Sequence, residues 1–532
     1  MSKFNVLIAD NLSAAAVEAL RAVPELNVIV SNAQEYQSHL ADAHAMLVRS
    51  AVTVDKSVFA QAPNLRAIGR AGVGVDNVDQ AEATARGVVV MNTPGGNAIS
   101  VAEHTLALML TLARSVVQAS GSTKAGKWEK KKFLGNEIAG KTLGVVGLGN
   151  IGLQVARRAK PFGVEVIAYD PYVSSDAAKD RSIEMVELDE LYARSDYVSL
   201  HLALTPETKG LINRESIAKM KDGVRILNCA RGELVDSAAL DEALTSGKVA
   251  GAGLDVFESE PPVDSPLLKQ PNLVATPHIG GSTEEAQEKI GVRIAQQVRD
   301  YLLDGVVMSA VNMPSVSAEQ YGKLAPFLTL ASRLGSFTAQ IAKGRLVRIK
   351  LTYSGEFGET DQSLIRNAAL SGVLNRFLSQ KANLINAAQI AKDRGFGVTV
   401  GRRGRTHFSD SLALALETEE TTCLAEGTVF PDGSPRLLSV DGIYVESPLS
   451  GHMLFVKNQD VPGVIGRVGS ILGEHDVNIA DFSLGRREGV EGDDAAEAVA
   501  VVRTDQKAPQ AALNQLSEMQ AVRFARIIDI EE

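Results

Sequence analysis

Cysteine is nearly absent: the 532 residues hold two, Cys229 and Cys423. Two cannot build a disulfide framework or a metal site of several thiolates, and nothing calls for an oxidising compartment. Aromatic residues are scarce at 5%, with a single Trp, yet 45% of the chain is apolar. That is enough to bury several cores and excludes a disordered chain. Long hydrophobic runs are missing. The most apolar window, 101–117, contains Glu103, His104 and Arg114, so no membrane span is expected. The chain enters a strand-like run at 4–10 without a basic-then-apolar leader, so no signal peptide is expected either. An excess of positive charge is also lacking. Lys and Arg number 54 against 64 Asp and Glu, a net −10, whereas general nucleic-acid binding needs a basic face. The expectation is a soluble cytoplasmic protein without metal, membrane or nucleic acid. A local cluster of Arg for an anionic substrate stays compatible with this charge.

What is abundant is glycine, 46 residues, in a chain long enough for three or four domains at roughly 150 residues each. Short apolar runs at 4–10, 27–30, 45–49, 65–69 and 88–91 alternate with helical or loop segments. This is the pattern of a mostly parallel β-α-β sheet. A helix is predicted over about 99–119, and a second series of strands follows at 142–146, 164–169, 197–200, 224–227, 250–255 and 273–276. Another amphipathic helix is predicted over 284–303. Two α/β units flanked by long helices predict a two-domain enzyme with a cleft. Beyond them, 321–343 and 362–393 read as helices. Residues 453–457, 464–473, 479–486, 498–503, 508–519 and 523–530 then read as βαββαβ, the ferredoxin-like order.

The second α/β unit opens with Gly147-Leu148-Gly149-Asn150-Ile151-Gly152 between a strand and a helix. Gly147 would make the tight turn, Gly149 would let a pyrophosphate approach the backbone, and Gly152 would let the helix lie close on the sheet. The helix N-terminus offers free N–H groups to phosphate. Asp170 ends the next strand, 18 residues past Gly152. A carboxylate there accepts from ribose hydroxyls and repels a 2′-phosphate, so the predicted cofactor is NAD rather than NADP.

Hydride transfer to or from a hydroxy acid needs a base for the hydroxyl proton and a cation for the carboxylate. Such groups belong at the carboxyl ends of strands, facing the crevice. Three strand ends offer them: Cys229-Ala230-Arg231-Gly232, Asp255 leading to Glu258 and Glu260, and His278 beside Gly280 and Gly281. Of eight histidines, His201 and His278 sit at strand ends of this unit, and the open backbone at Gly280 and Gly281 favours His278. Read without further context, Asp255 serves equally as a helix cap, Glu258 or Glu260 as a loop charge, and Arg231 as a salt-bridge partner.

Stretches 69–79, 91–97, 147–152, 228–232 and 276–283 closely resemble the D-isomer-specific 2-hydroxyacid dehydrogenases. The resemblance is dense to about residue 310. The remainder is similar to the long form of these enzymes, with an intervening domain and then an ACT domain. It implies a substrate-binding domain of 1–97 with 284–313, an NAD-binding domain of 98–283, an α+β intervening domain of 317–450 and an ACT domain of 452–532. It implies Arg231 as the grip on the substrate carboxylate, His278 as acid/base, and Glu260 as the partner that raises the imidazole's pKa and holds its ring. Asp255 would contact the nicotinamide amide, and Asn150, Ile151, Cys229 and Ala230 would line the cofactor site. Arg49 and Arg70 would hold a substrate phosphate, with Asn97, Gly72 and Val73 close by. Lys130 stands where relatives carry an Arg that reaches the neighbouring subunit's site.

By the same resemblance, Asp460 and Asn478 would hold an amino-acid effector, L-serine, in a homodimer or homotetramer. Arg345, Arg348, Lys350, Arg402, Arg403 and Arg405 are either an anion site of the intervening domain or a solvated charge cluster. The implied activity interconverts 3-phospho-D-glycerate and 3-phosphooxypyruvate, the entry to serine synthesis. A glyoxylate or 2-oxoglutarate reductase is the near alternative, and an NAD-sensing binding protein the distant one.

Overall fold

The computed structural model describes residues 3–173, 183–314, 316, 318–355, 357, 359–404, 410–487 and 497–530. Its first sheet has five parallel strands in the spatial order Leu26–Val30, Phe4–Ile8, Ala45–Val48, Ala67–Arg70, Val89–Met91. This is the flavodoxin-like order. Helix Glu284–Asp304, far away in sequence, lies on this sheet. Its Ile290, Ile294, Ala295 and Val298 share one core with Val6, Leu47, Ala67 and Val89. The approach is close enough that a Cβ on Gly69 would come within 2.8 Å of both Ile294 and Val298.

The second sheet has seven parallel strands, ordered Leu273–Ala275, Val249–Leu254, Val224–Asn228, Tyr197–Leu200, Thr142–Val146, Glu165–Tyr169, Glu184–Met185. This is the Rossmann order, and it reverses direction between Thr142–Val146 and Tyr197–Leu200, where ligands bind in such sheets. The two-residue strand Glu184–Met185 was not predicted from the sequence. Helices Ala98–Arg114 and Asn150–Ala159 cover one face of the sheet with Val101, Leu106, Met109, Val155 and Ala156. The helix expected over 99–119 is in fact two. Ser115 sits at φ 48, and the following helix, Val116–Lys124, buries none of its residues.

A third, six-stranded sheet is ordered Gly397–Arg403, Leu346–Ser354, Ser411–Thr418, Thr422–Val429, Pro435–Val440, Ile443–Pro448, its first pair parallel and the rest antiparallel. Helices Ala318–Ile341 and Glu359–Phe377 cross on it at Gly335 and Gly372. A Cβ on either would lie 2.4 or 2.0 Å from a carbonyl oxygen of the other helix. The helix expected over 362–393 is interrupted before Ala387–Asp393. In the gap, Asn375 exchanges two hydrogen bonds with the backbone of Ala382. Asn383 donates to Gly87 O at 2.8 Å, and Ile385 joins the core of the first sheet.

The fourth sheet is antiparallel, ordered Ile479–Arg486, Glu497–Thr504, Gly451–Gln459, Val522–Ile530, and with helices Val464–Glu474 and Gln510–Ser517 it forms the expected βαββαβ unit. Its helices cover one face. The other face presents Met453, Phe455, Val499 and Ile528 to the third unit, where the Phe337 and Phe455 rings meet edge to face at 5.8 Å. Among the described residues no helix is long and apolar enough to cross a membrane.

Candidate active site

The carboxyl ends of the first and second sheets face each other, and the glycine-rich turn lies on the second wall. Gly147 has φ 95, a left-handed conformation that favours glycine, and a Cβ there would be 2.6 Å from His201 O. On Gly152 a Cβ would be 1.9 Å from Gly147 O, so the helix can lie against the turn only without one. On Gly149 a Cβ would meet nothing within 4 Å. The turn therefore opens onto free space, and helix Asn150–Ala159 begins there with no side chain capping its N–H groups. Asp170 straps the turn to the next strand, accepting from Leu148 N at 2.8 Å and Tyr172 N at 2.9 Å. Asn150, Ile151, Cys229, Ala230 and Asp255 line the same side of the cleft. Burial pushes the Cys229 thiol up to about 12, so it stays protonated.

His278 projects from the loop after strand Leu273–Ala275 with φ 54. A non-glycine residue in this region is uncommon and needs its surroundings to hold it. Asp255 supplies that hold. His278 N donates to Asp255 O at 2.8 Å. One carboxylate oxygen of Asp255 accepts from Thr276 Oγ1 at 2.6 Å and Ile279 N at 2.8 Å, and the other accepts from Gly280 N at 2.7 Å. His104 Nε2 stands 3.3 Å from the same carboxylate and 3.0 Å from Thr276 Oγ1. Burial alone would raise the Asp255 carboxyl. The bonds from His104, Thr276, Ile279 and Gly280 outweigh it and hold the group below the usual carboxylate range.

Glu260 Oε2 accepts from His278 Nδ1 at 2.8 Å, and its other oxygen accepts from Phe257 N at 3.1 Å. That fixes the tautomer: the Nδ1 proton faces Glu260, and Nε2 is left for the cleft. The alternative histidine, His201, is built differently. Its Nε2 meets Ser199 Oγ at 2.8 Å, its Nδ1 is buried without a partner, and burial pushes it down to about 3.

Arg231 comes from the second wall and meets Asp76 of the first. Its Nε and Nη2 lie 3.1 and 3.0 Å from Asp76 Oδ2, and its Nη1 donates to Ala230 O at 2.7 Å. Gly232 lets this strand end nest against the next, since a Cβ there would fall 1.9 Å from the Phe257 carbonyl carbon. Arg70 ends strand Ala67–Arg70 and folds back over Gly72, whose φ of 152 and missing Cβ leave room for its guanidinium. Burial, and then the charge of Arg231, push the Arg70 guanidinium below its ordinary value. Its Nε is buried without a partner, as is Oδ1 of Asn97. Arg49 lies beside Arg70 in the same cavity, its backbone N–H held by Asp10 at 3.2 Å. Thr93 N fixes the Gly72 carbonyl at 2.9 Å, and Asn92 Nδ2 fixes that of Val73 at 2.5 Å.

One cavity holds Arg49, Arg70, Gly72 and Glu260, and the adjoining one holds the glycine-turn side and Arg231. Arg70, Asn97, His278 and Gly281 line both. Asp76, in the loop after strand Ala67–Arg70, His104 and the Asp255 hydrogen-bond set were missed by sequence reasoning. Asp255, expected at the nicotinamide amide, turns its carboxylate to its own loop.

Other predicted residues lie elsewhere. Lys130 is on an exposed 3-10 turn, its Nζ 5.7 Å from the Trp128 ring centroid, and does not line the cleft of its own chain. Asp460 pairs with Arg486 at 3.2 Å, and Asn478 donates to Asp505 at 2.6 Å. The strand register puts these two at opposite ends of the fourth sheet, roughly 20 Å apart. Arg348 is paired with Glu417 of the neighbouring strand, Arg403 with Glu426 of strand Thr422–Val429, and Arg402 donates to Phe357 O. Arg405 lies outside the described residues. Among the described residues no group of three His, Cys, Asp or Glu could hold a metal ion.

Comparison with known proteins reaches the whole chain. Residues 106–280 match the D-isomer specific 2-hydroxyacid dehydrogenase, NAD binding domain. Residues 323–441 match the D-3-phosphoglycerate dehydrogenase intervening domain, and 452–519 match the ACT domain. D-3-phosphoglycerate dehydrogenase of Methanocaldococcus jannaschii is 40% identical over 527 residues, 99% of each chain. The Bacillus subtilis D-3-phosphoglycerate dehydrogenase is 37% identical over 528 residues, 99% of this chain and 100% of that one. Among solved structures, D-lactate dehydrogenase from Aquifex aeolicus, complexed with NAD and lactic acid, superposes with a TM-score of 0.52 at 31% identity. It covers 58% of this chain and 100% of that chain. Likeness that runs from the first sheet to the last, through the intervening unit, makes this chain a member of the D-3-phosphoglycerate dehydrogenase family, within the D-isomer specific 2-hydroxyacid dehydrogenases.

Proposed function

We propose that the protein oxidises 3-phospho-D-glycerate to 3-phosphooxypyruvate with NAD, the entry to L-serine synthesis. The observation that carries this reading is the convergence of Arg49, Arg70 and Arg231 on one cleft with the His278–Glu260 pair at its edge. A substrate with a phosphate at one end and a carboxylate at the other matches that distribution of charge. Arg49 and Arg70 take the phosphate, with Asn97 and the backbone of Gly72 and Val73 beside it. Guanidinium groups suit phosphate oxygens because they present paired donors.

Arg231 takes the carboxylate and polarises the neighbouring carbonyl oxygen. His278 receives the hydroxyl proton at Nε2 as the carbonyl forms, and returns it in the reverse direction. Glu260 keeps the proton on Nδ1 and so keeps Nε2 ready. His201, held near 3, stays neutral and does not compete for this role.

NAD fits the second wall: the open space at Gly149, the uncapped helix start and the acidic end of the second strand suit a pyrophosphate and a ribose. When bound it supplies the hydride acceptor. Asn150, Ile151, Cys229, Ala230 and Asp255 would flank it, and Asp170 disfavours a 2′-phosphate.

The reading extends to assembly. Asp460 and Asn478 stand too far apart to share one small ligand within a chain, so an L-serine site built from both takes Asp460 from one copy and Asn478 from another. Lys130 stands in an exposed, largely basic stretch that also bares two large apolar side chains, Trp128 76% and Leu134 92% accessible. That supports a homodimer or homotetramer in which Lys130 approaches a partner's cleft.

Arg49→Ala tests the phosphate assignment. The expected loss in kcat/KM is about 10²-fold for 3-phosphohydroxypyruvate, the worth of a charge-assisted pair, with glyoxylate reduction nearly unchanged. Equal losses on both substrates would remove Arg49 from phosphate recognition.

A further inference from the structure

Building on the proposed role of Arg231, we infer that Asp76 is its positioning residue. Asp76 acts across the cleft to present the guanidinium to the substrate carboxylate.

A guanidinium carries five N–H donors. In Arg231, Nε donates to Asp76 Oδ2 at 3.1 Å, Nη2 lies in ion-pair contact with the same oxygen at 3.0 Å, and one N–H of Nη1 is spent on Ala230 O at 2.7 Å. Each terminal nitrogen keeps at least one free N–H, enough for a single carboxylate in a two-pronged pair. Asp76 thus fixes the plane of the group while leaving its working end free.

Two features of the loop show that it is fitted to this contact. A Cβ on Gly74 would lie 2.1 Å from Arg231 Nη2 and 2.8 Å from Asp76 Oδ2, so a side chain there would displace the pair. The next residue, Asn77, pins the loop by donating to Arg49 O at 2.7 Å and Val52 O at 2.6 Å. The phosphate-side loop at Arg49 and the carboxylate-side Arg231 are therefore set relative to each other through Asp76 and Asn77. The pair also spans the walls: Asp76 belongs to the first sheet's loops and Arg231 to the second's.

The sign of the effect makes the test decisive. Removing a negative charge beside a cationic site, by itself, strengthens anion binding. Loss of positioning weakens it. Asp76→Asn keeps the shape and removes the charge. KM for 3-phosphohydroxypyruvate is expected to rise about tenfold, with kcat within about twofold and the NADH dissociation constant unchanged. Asp76→Glu, which restores the charge, is expected to recover most of that loss. An unchanged or lower KM in Asp76→Asn overturns the inference, and so does weakened NADH binding, which would mark a merely structural role.

Arg231→Lys separates the two layers of the argument. If it leaves KM unaltered, the carboxylate assignment of Arg231 fails, whatever Asp76 does. If it raises KM, adding Asp76→Asn to it should change nothing more, because the residue acts through Arg231. A second, independent tenfold loss overturns the inference.

Discussion

His278 keeps a left-handed backbone because Asp255 ties down the four residues around it. That tie makes a pH prediction at the scale of one side chain. The Asp255 carboxyl lies below its ordinary value in the folded protein. Its stabilising contribution is therefore complete above the unfolded value of about 3.9 and is lost as pH falls through the lower folded value. Asp255→Asn should lower the thermal midpoint at pH 7, the loss of charge-assisted hydrogen bonds costing about 2 kcal/mol. The gap from the wild type should begin to narrow below about pH 4 and close only as pH falls through the lower folded value, where the native carboxyl protonates. Melting curves from pH 3 to 8 check this, and a gap that widens at acid pH would contradict it.

Which residues meet at the cleft was partly legible. Strand ends pointed to Arg231, to Asp255, Glu258 and Glu260, and to His278, and the family resemblance singled out Arg231, Glu260 and His278. The hydrogen-bond set of Asp255 was not legible, because the carboxylate, His104 and the 276–280 loop come from three separate stretches of chain and meet only in the fold. Asp76 escaped for the same reason: a lone carboxylate in a glycine-rich loop carries no sign that an arginine 155 residues away will sit on it.

At the scale of elements, glycine decides where a helix can approach a turn. The Gly152 contact leaves no room for a methyl group, and the neighbour is backbone, which cannot swing aside. Gly152→Ala should weaken NADH binding at least about tenfold and destabilise the nucleotide-side unit by roughly 1–3 kcal/mol, the range for overpacking a well-filled site. Titration of intrinsic NADH fluorescence and a thermal melt measure both, and wild-type values for both would show that the turn tolerates a Cβ. Apart from Glu184–Met185, the strands of both parallel sheets were read to within a residue or two, since their apolar runs are short and bounded by turn residues. Helix ends were read less well. The helix at 98–114 stops because the chain returns over its end, with Asn136 N donating to Ala113 O at 2.8 Å. The periodic pattern of 99–119 holds no trace of that contact. The interruption after Phe377 has a like cause: asparagine side chains there bond to distant backbone, including Gly87 of the first sheet.

For the whole molecule, the cleft is a product of topology. A parallel sheet gathers its loops at one end, and two such sheets facing each other bring arginines from one wall to the histidine and glycine turn of the other. The intervening unit touches the first sheet through Asn383 and Ile385, and the last sheet packs its second face on that unit, so the ACT domain and the first sheet are joined through packed contacts. The succession of two parallel sheets and a final βαββαβ unit was legible from the alternation of strands and helices. The separation of Asp460 from Asn478 was not, because it depends on the register of antiparallel strands.

The central claim is that the arginines of this cleft select a phosphorylated substrate. The most direct measurement is NADH oxidation by the purified protein, comparing kcat/KM for 3-phosphohydroxypyruvate with that for glyoxylate and 2-oxoglutarate. A preference of about 10²-fold or more for the phosphorylated acid is predicted, since buried cationic groups left without their anion reject an analogue lacking it. Equal or faster turnover of an unphosphorylated acid would contradict the account and take Arg49 and Arg70 out of phosphate recognition.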